Sequence, residues 1–216
     1  MFKKFLDNVS NTLGIVNNKI SEIIKESNGY INAEERISKE IKQTVTALKS
    51  YAETETPSLG QAISSLANTF EIIESERLEK VQKLRDQYIA PLDELVINLK
   101  TLQTEQREAE KAAKEQEKAE KQLNKVKNKQ KEKLKPNEIE NAESKLQAAQ
   151  EKSDKEENDV KVTTVEFNKA KLETMQKVLK AMVDIESAYH QKILDSITGV
   201  KEKAEAINIE EESKIQ

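Results

Sequence analysis

Apolar residues recur along the first fifty residues at alternating intervals of three and four, the spacing of one face of an α-helix. Such a heptad seam is typical of long helices that pack together, and two polar residues, Ser27 and Glu34, lie near its centre. The seam consists of Leu6, Val9, Leu13, Val16, Ile20, Ile23, Ser27, Tyr30, Glu34, Ile37, Ile41, Thr44, Leu48 and Tyr51. The pattern predicts one long first helix.

Two later segments repeat this periodicity. The second consists of Ile63, Leu66, Phe70, Ile73, Arg77, Val81, Leu84, Tyr88, Leu92, Leu95, Leu99 and Leu102. The third has one stripe of Phe167, Ala170, Thr174, Val178, Ala181, Ile185 and Tyr189, and beside it a second of Leu172, Met175, Leu179 and Met182. A face two stripes wide contacts more than one neighbouring helix.

Turns between these helices are predicted at two prolines. Pro57 biases Thr56 away from helical geometry, and Thr56 or Ser58 is suited to cap the helix that follows. Pro136 is followed by Asn137, which we expect to be the N-cap of the last helix.

The third proline, Pro91, lies inside an uninterrupted helical pattern. There the loss of one backbone hydrogen bond is expected to kink the helix without ending it. The predicted organisation is a single domain over 1–209, with helices at about 3–54, 58–134 and 138–207, followed by a frayed acidic tail over 210–216.

Large apolar side chains are unevenly distributed over the second and third helices. Residues 58–102 contain seventeen of them, and residues 103–159 only five. At about 1.5 Å per residue both helices reach roughly 100 Å, so the distal halves can form only a thin two-helix arm. The proximal halves carry more apolar side chains than a three-helix bundle can bury. We therefore predict an all-α fold: a long, kinked, three-helix antiparallel coiled coil that forms a homodimer with a six-helix central bundle.

Composition excludes many other classes of protein. Ala, Glu, Lys, Leu and Arg make up close to half of the 216 residues, and hydrophobic residues make up only 36%. The absence of cysteine excludes disulfides, thiolate nucleophiles and cysteine-based zinc sites. The one histidine, His190, is expected to be structural, since it cannot form a metal cluster or triad alone. We therefore expect no enzyme activity, no cofactor and no metal.

Charge and hydropathy limit where in the cell the protein is expected and what it is expected to bind. No stretch approaches 18 consecutive apolar residues, and Asp7 and Asn8 interrupt the apolar start too early for a signal peptide. The net charge is −4, and lysines far outnumber the four arginines, which argues against nucleic-acid binding. We expect a cytoplasmic protein that is peripheral at membranes.

Several stretches resemble the BAR-domain superfamily, and most of all its Chibby-interacting, ciliary members. They are YAETETPSL (51–59), the spaced positions Ala67, Phe70, Arg77, Val81, Leu84, Pro91 and Leu92, the stretch NEIENAESKLQAAQ (137–150), and Phe167, Lys169, Lys171, Ile185, Glu186, Tyr189, His190, Lys192 and Leu194. The resemblance covers about residues 10–210. This chain departs from the family in its weaker basic character and its lysine-rich, arginine-poor arm.

The resemblance implies a crescent-shaped homodimer that senses or shapes membrane curvature. It implies anionic membrane lipids as partners, a Chibby-type coiled-coil protein as a further partner, and a place at the ciliary base where the organism has cilia.

The first candidate lipid-binding surface is a run of lysines on the predicted arm. Between residues 118 and 135, eight lysines are accompanied by only two glutamates, whereas residues 136–157 contain three lysines and seven acidic residues. The run can attract an anionic leaflet, or the opposing helix can neutralise it. The lysines are Lys118, Lys121, Lys125, Lys127, Lys129, Lys131, Lys133 and Lys135.

Two further sets of residues are weaker candidates. The resemblance implies that part of a central basic set lines the concave face, although for any single residue a solvated position is favoured over a lipid contact. The set is Arg77, Lys80, Lys83, Lys169, Lys171 and Lys177. Phe2 and Phe5 are candidate membrane wedges, but their stripe continues into the first helix, which favours a packing role.

Three functions remain open at this stage. The first is a non-enzymatic membrane-curvature protein that binds anionic phospholipid through basic residues. The second is a coiled-coil protein-interaction scaffold with weak or no lipid binding. The third is a helical membrane-remodelling polymer of the phage-shock or ESCRT-III type, which does not account for the turn at Pro57 or for Pro91.

Overall fold

Long helices make up almost all of the described chain. The computed structural model describes residues 2–129 and 135–214, and within these ranges it contains helices and turns but no strand. The elements are α1 (Phe2–Ala52), α2 (Pro57–Leu84), a π-helical turn (Arg85–Ile89), α3 (Ala90–Lys127), α4 (Glu138–Glu205) and a short α5 (Ile209–Glu212). The predicted all-α class is confirmed.

The contacts divide the chain into two compact units, where the sequence pattern predicted one domain. The first unit consists of residues 1–22 and 93–174, and the second of residues 23–92 and 175–216. Both α1 and α4 contribute residues to each unit.

The first unit has two small apolar clusters. Leu6 of α1, Ala109 of α3 and Val160 of α4 form one cluster, and the Gln106 side chain donates a 2.8 Å hydrogen bond to the Leu6 carbonyl beside it. The other cluster, near the ends of α3 and α4 that face the 136 turn, consists of Leu123, Val126 and Ala142, with Ile139 and Leu146 packed against it. These few side chains hold the apolar-poor segment together.

The second unit has a larger core. Five buried residues from α1, α2, the π-helical turn and α4 form it, and the flanking side chains Ile24, Tyr88, Ala181 and Met182 are half-buried against it. The five are Ile31, Val81, Leu84, Ile89 and Ile185. The first stripe predicted for the third helix points inward here, since Val178 and Ile185 are both buried.

The seam of α1 departs from the predicted positions after Ser27. The predicted seam residues Tyr30 and Ile37 are exposed, whereas Ile31 and Val45 are buried. A straight α-helix drifts by about 20° per heptad relative to a strict seven-residue repeat. Over four heptads this drift reaches about 80°, so the buried face rotates: alternate seam positions move on by one residue, while Ile41 remains buried.

The helical path continues through Pro91, as the pattern indicated, by way of the π-helical turn directly before it. The Ala90 N–H donates to the Arg85 carbonyl, five residues back. Because proline lacks an N–H and its ring crowds the carbonyl four residues earlier, a wider turn at this point relieves the conflict.

Both interhelical turns differ in detail from the predicted caps. Thr56 precedes α2 with extended backbone (φ −62°, ψ 156°), but its side chain makes no hydrogen bond to the helix it precedes. Asn137 precedes α4 with φ 60°, a left-handed conformation that asparagine tolerates better than most residues.

The acidic tail was predicted to fray, and this expectation is wrong for its first part. Residues Ile209–Glu212 form a helical turn, and the Glu212 carboxylate accepts hydrogen bonds from the backbone N–H groups of Ser58 and Leu59. The tail thus supplies the cap that Thr56 does not. None of the described helices has a segment apolar and long enough to span a bilayer.

Gly60 allows the α1–α2 turn to close. A Cβ at this position would lie 2.8 Å from the Ala52 carbonyl oxygen, and backbone cannot move as a side chain can. We expect Gly60→Ala to lower the free energy of unfolding by about 1–3 kcal/mol, as overpacking does. Gly199→Ala is the matched control, because its Cβ meets nothing within 4 Å and alanine favours the helix by about 0.5–1 kcal/mol. Urea unfolding of both variants checks this, and equal stabilities would contradict it.

Candidate functional site: basic surfaces and a buried ionic cluster

Three of the arm lysines form ion pairs with glutamates. Lys121 Nζ lies 2.5 Å from Glu117, one turn earlier in α3. Lys127 and Lys129 pair across the turn with α4, at 2.8 Å from Glu143 and 2.5 Å from Glu138. Glutamates of the opposing helix therefore neutralise part of the lysine charge, which is the alternative that the sequence analysis left open.

Other arm lysines lie outside these pairs. Lys118, Lys125 and Lys135 are exposed. Lys131 and Lys133 lie outside the described residues, as do the side chains of Phe2 and Phe5. Of the six candidate lysines that the structure describes, these three exposed ones therefore form no ion pair within 4 Å, although Lys118 and Lys135 lie near enough to Glu115 and Glu138 to help lower the pKa of those carboxyls.

The central basic set divides into exposed and buried residues. Lys83 is partly exposed and pairs with Glu79 at 2.5 Å, Lys169 is exposed, and Lys177 is exposed. Lys171 is half-buried and donates to the Asn168 side chain at 3.2 Å.

The other two members of this set, Arg77 and Lys80, lie inside the second unit. They are only 4% and 3% exposed. Phosphate groups of a membrane cannot reach them in this arrangement, so the predicted lipid contact does not fit their position. The sequence pattern placed Arg77 on the apolar seam but did not indicate its acidic partners.

Carboxylates from three helices surround the two buried cations. Lys80 Nζ lies 2.8 Å from a Glu34 oxygen of α1 and 3.5 Å from a Glu186 oxygen of α4. Arg77 donates to Glu74 at 2.6 Å and lies 3.4 Å from Glu34.

Tyrosine and serine side chains complete this buried ionic cluster. Lys80 donates to the Tyr30 hydroxyl at 2.9 Å, and that hydroxyl donates to Glu186 at 2.8 Å. Lys80 Nζ also lies 4.3 Å from the centre of the Tyr189 ring, within cation–π range. On the other side, the Ser38 hydroxyl donates to Glu74.

The pKa shifts in the cluster favour its charged state. Burial acts to lower the pKa of Lys80, but hydrogen bonds to Glu34 and Tyr30 and the charge of Glu186 outweigh it, so that this pKa is raised. Burial likewise acts to raise the pKa of Glu34, and its contacts with Lys80 and Arg77 lower it overall. Burial is also the main cause that raises the pKa of Tyr30 to about 12. These shifts keep Lys80 and Glu34 charged and the Tyr30 hydroxyl neutral at neutral pH.

His190 has no surroundings for catalysis. It is exposed, its Nε2 lies 3.7 Å from Glu186, and its ring is 5.4 Å from that of Tyr189. No group of three or more His, Asp or Glu among the residues that the structure describes is arranged to hold a metal ion.

Exposed apolar side chains form the other unusual surface of the second unit. Leu179, Val183, Leu194 and Ile197 lie along one side of α4, and the first three are 58–64% exposed. The second stripe of the sequence pattern indicated Leu179, and the others extend it toward the C-terminal end of the helix. No residue of the second unit that the structure describes covers these side chains.

This arrangement of long helices is that of a BAR domain. Drosophila amphiphysin's BAR domain matches it with a TM-score of 0.75 at 16% identity, over 94% of this chain and 93% of that one. The I-BAR domain of Dictyostelium discoideum IBARa matches with a TM-score of 0.52 at 15% identity, over 99% and 96%.

Sequence comparison identifies the particular family. The family model described as "FAM92 protein" matches residues 3–215, and the chain belongs to this family. "CBY1-interacting BAR domain-containing protein 1-B" of Xenopus laevis is 25% identical over 96% of this chain and 72% of its own length. The mouse "CBY1-interacting BAR domain-containing protein 1" is 24% identical over 99% of this chain and 72% of its own length. The resemblance to the BAR superfamily and its Chibby-interacting members is thereby confirmed.

The buried ionic cluster leads to a stability prediction. Lys80→Met leaves Glu34 and Glu186 without their shared cation, and breaking a buried pair costs about 3–5 kcal/mol. We expect a loss of this order in the free energy of unfolding, measured by urea denaturation. Lys83→Met, on the same helix but with a partly exposed ion pair, should cost less than about 1 kcal/mol. Equal effects of the two substitutions would show that the cluster contributes no more than a surface pair.

Proposed function

We propose that this chain is a non-enzymatic membrane-curvature protein that forms a curved homodimer and binds anionic phospholipid through lysines. The observation that carries the proposal is the BAR fold, with its match to the amphiphysin BAR domain over nearly the whole chain. BAR domains as a class are crescent-shaped dimers that sense or shape membranes, and the family assignment agrees with this.

The exposed apolar side of α4 supports the homodimer. Four large apolar side chains on one helix face would each expose apolar area to water in a monomer. A second copy of the chain can cover them through the same face, since a two-fold dimer interface is formed by one patch on both subunits. Six helices would then pack in the central bundle.

The lipid-binding surface in this proposal consists of exposed lysines only. On the arm these are Lys118, Lys125 and Lys135, together with the ion-paired lysines beside them, and in the central set Lys177 and Lys169, the latter 3.9 Å from Glu173. Near an anionic leaflet each lysine contributes about 1 kcal/mol, and this attraction falls off within a Debye length. Adhesion of this kind offsets the cost of bending the bilayer, and places the protein at the cytoplasmic face of a membrane.

A protein-interaction scaffold with weak lipid binding is the second candidate. The ion pairs of Lys127 and Lys129 with α4 favour it, because they lower the net charge that a membrane would meet. The relatives are named for interaction with CBY1, which makes a Chibby-type coiled-coil protein the expected partner. Where the organism has cilia, the ciliary base is the expected site. A membrane-remodelling polymer is not supported, since the fold is that of a BAR domain.

The homodimer is tested by charging its proposed interface. We expect Val183→Glu with Leu194→Glu to convert the protein to a monomer, because glutamates in an apolar interface lose their hydration. Size-exclusion chromatography with light scattering measures the mass. Gln191→Glu with Thr198→Glu is the matched control, since both positions are exposed on the same helix outside that side. A variant that remains dimeric at micromolar concentration would refute this interface.

Lipid binding is tested by removing the unpaired arm charges. Lys118→Gln, Lys125→Gln and Lys135→Gln together remove about 3 kcal/mol of attraction per protomer, so we expect about 100-fold weaker binding. Sedimentation with vesicles of rising phosphatidylserine content, at two salt concentrations, measures it. Circular dichroism verifies that the helices persist.

The matched control for lipid binding removes the same number of charges elsewhere. Lys39→Gln, Lys42→Gln and Lys203→Gln change exposed lysines of the second unit and should have a smaller effect. An equal loss in both variants would contradict the arm assignment. Salt-insensitive binding would contradict electrostatic adhesion, and no binding by the wild type, with Chibby-type partner capture retained, would establish the scaffold.

A further inference from the structure

The C-terminal turn is fastened to the start of α2 by one carboxylate. Glu212 accepts hydrogen bonds from the Ser58 N–H at 2.7 Å and the Leu59 N–H at 3.3 Å. Its side-chain donors are the hydroxyls of Ser58 and Thr56. These donors come from residues more than 150 positions earlier in the sequence, so the contact is a tertiary one.

Polar contacts dominate this attachment. The Asn208 N–H donates to the Ser58 hydroxyl at 3.1 Å, and the Asn208 side chain accepts from the Glu211 N–H at 3.3 Å. Ile209 is 74% exposed and adds little apolar burial. Glu212 accepts most of the hydrogen bonds of this attachment, so the attachment is sensitive to a change of charge beside that carboxylate.

The hydroxyl that Glu212 engages belongs to an unusual dipeptide. Thr56-Pro57 is the only Ser-Pro or Thr-Pro pair in the sequence. Thr56 lies outside the helices, is partly exposed, and has extended backbone. Proline-directed Ser/Thr kinases act on such pairs in extended segments, whereas a hydroxyl within a helix is not presented in this form.

We propose that Thr56 is a phosphorylation site and that its phosphate displaces Glu212 and releases the C-terminal turn. In the reaction Thr56 Oγ1 forms a bond to the γ-phosphorus of ATP, and the bond from that phosphorus to the β–γ bridging oxygen breaks. ADP leaves, and the hydroxyl proton passes to the catalytic base of the kinase. The inference is independent of the proposed membrane function.

A phosphate at this position competes with Glu212 on three counts. It removes the hydroxyl that donated to the carboxylate, and it adds a charge of about −1.5 to −2 beside it. As the N-cap residue of α2, Thr56 is also placed to direct phosphate oxygens to the N–H groups of Ser58 and Leu59. The Glu212 carboxylate would then lose its hydrogen bonds from Ser58 and Thr56, which hold the pKa of Glu212 at about 2.

The docked carboxylate also shields the hydroxyl from a kinase, because Glu212 accepts the hydrogen bond of the Thr56 hydroxyl. While Glu212 is docked, it engages the Thr56 hydroxyl and slows its modification. Removing the carboxylate should therefore both free the turn and speed phosphorylation.

The test treats the full chain with ATP and a proline-directed kinase of the mitogen-activated class. We expect mass spectrometry to locate one phosphate on Thr56, and hydrogen exchange of residues 207–214 to accelerate at least tenfold after modification. Glu212→Ala should exchange rapidly without phosphate and accept phosphate several-fold faster than wild type. Glu210→Ala, an exposed carboxylate in the same turn, is the matched control and should behave as wild type.

Two results would overturn the proposal. One is a Thr56 that stays unmodified in both the wild type and Glu212→Ala, or a phosphate found only at other residues. The other is modification of Thr56 with unchanged exchange of residues 207–214. Circular dichroism at each step establishes that the long helices remain folded, so that faster exchange reports the turn alone.

Discussion

The second unit depends on two cations that α2 buries among its neighbours. Arg77 and Lys80 are almost inaccessible, and a buried charge without a partner costs several kcal/mol. The carboxylate partners of Lys80 come from α1 and α4, so the axial register of α1, α2 and α4 is fixed at this point. Apolar side chains alone would tolerate a shift of one helix along another by a heptad. The ionic cluster does not, and it therefore determines which register the apolar seams adopt.

In the first unit the helices are held together by fewer and weaker means. The distal cluster of Leu123, Val126 and Ala142 is small, and the pairs of Lys127 and Lys129 with α4 are partly exposed. Exposed ion pairs contribute only about 0–1 kcal/mol each. Lys127 and Lys129 thus join the two helices of the arm, and their charge is partly neutralised by α4.

Local periodicity in the sequence predicted the class of fold, the three long helices and the turns at Pro57 and Pro136. The exact seam of α1 was missed beyond Ser27, because a strict heptad count ignores the drift of a straight helix. The buried roles of Arg77 and Lys80 were missed for another reason. The carboxylate partners of Lys80 lie 46 residues earlier and 106 residues later, beyond any local pattern. Arg77 has one local partner, Glu74, but its other partner, Glu34, is also remote in the sequence. The Glu212 contact has the same origin, and only the N-cap preference at Thr56 hinted that an oxygen was needed there.

The position of the arginines limits what any membrane contact of this chain can recognise. Arg77 is buried with Glu34 and Glu74, and Arg85 pairs with Glu35 at 2.7 Å. Half of the four guanidinium groups are therefore engaged within the protein. Arginine binds phosphate with two parallel hydrogen bonds, whereas lysine acts as a hydrated point charge. A surface of lysines responds to the density of negative charge rather than to the shape of one headgroup, so its binding should follow leaflet charge and ionic strength.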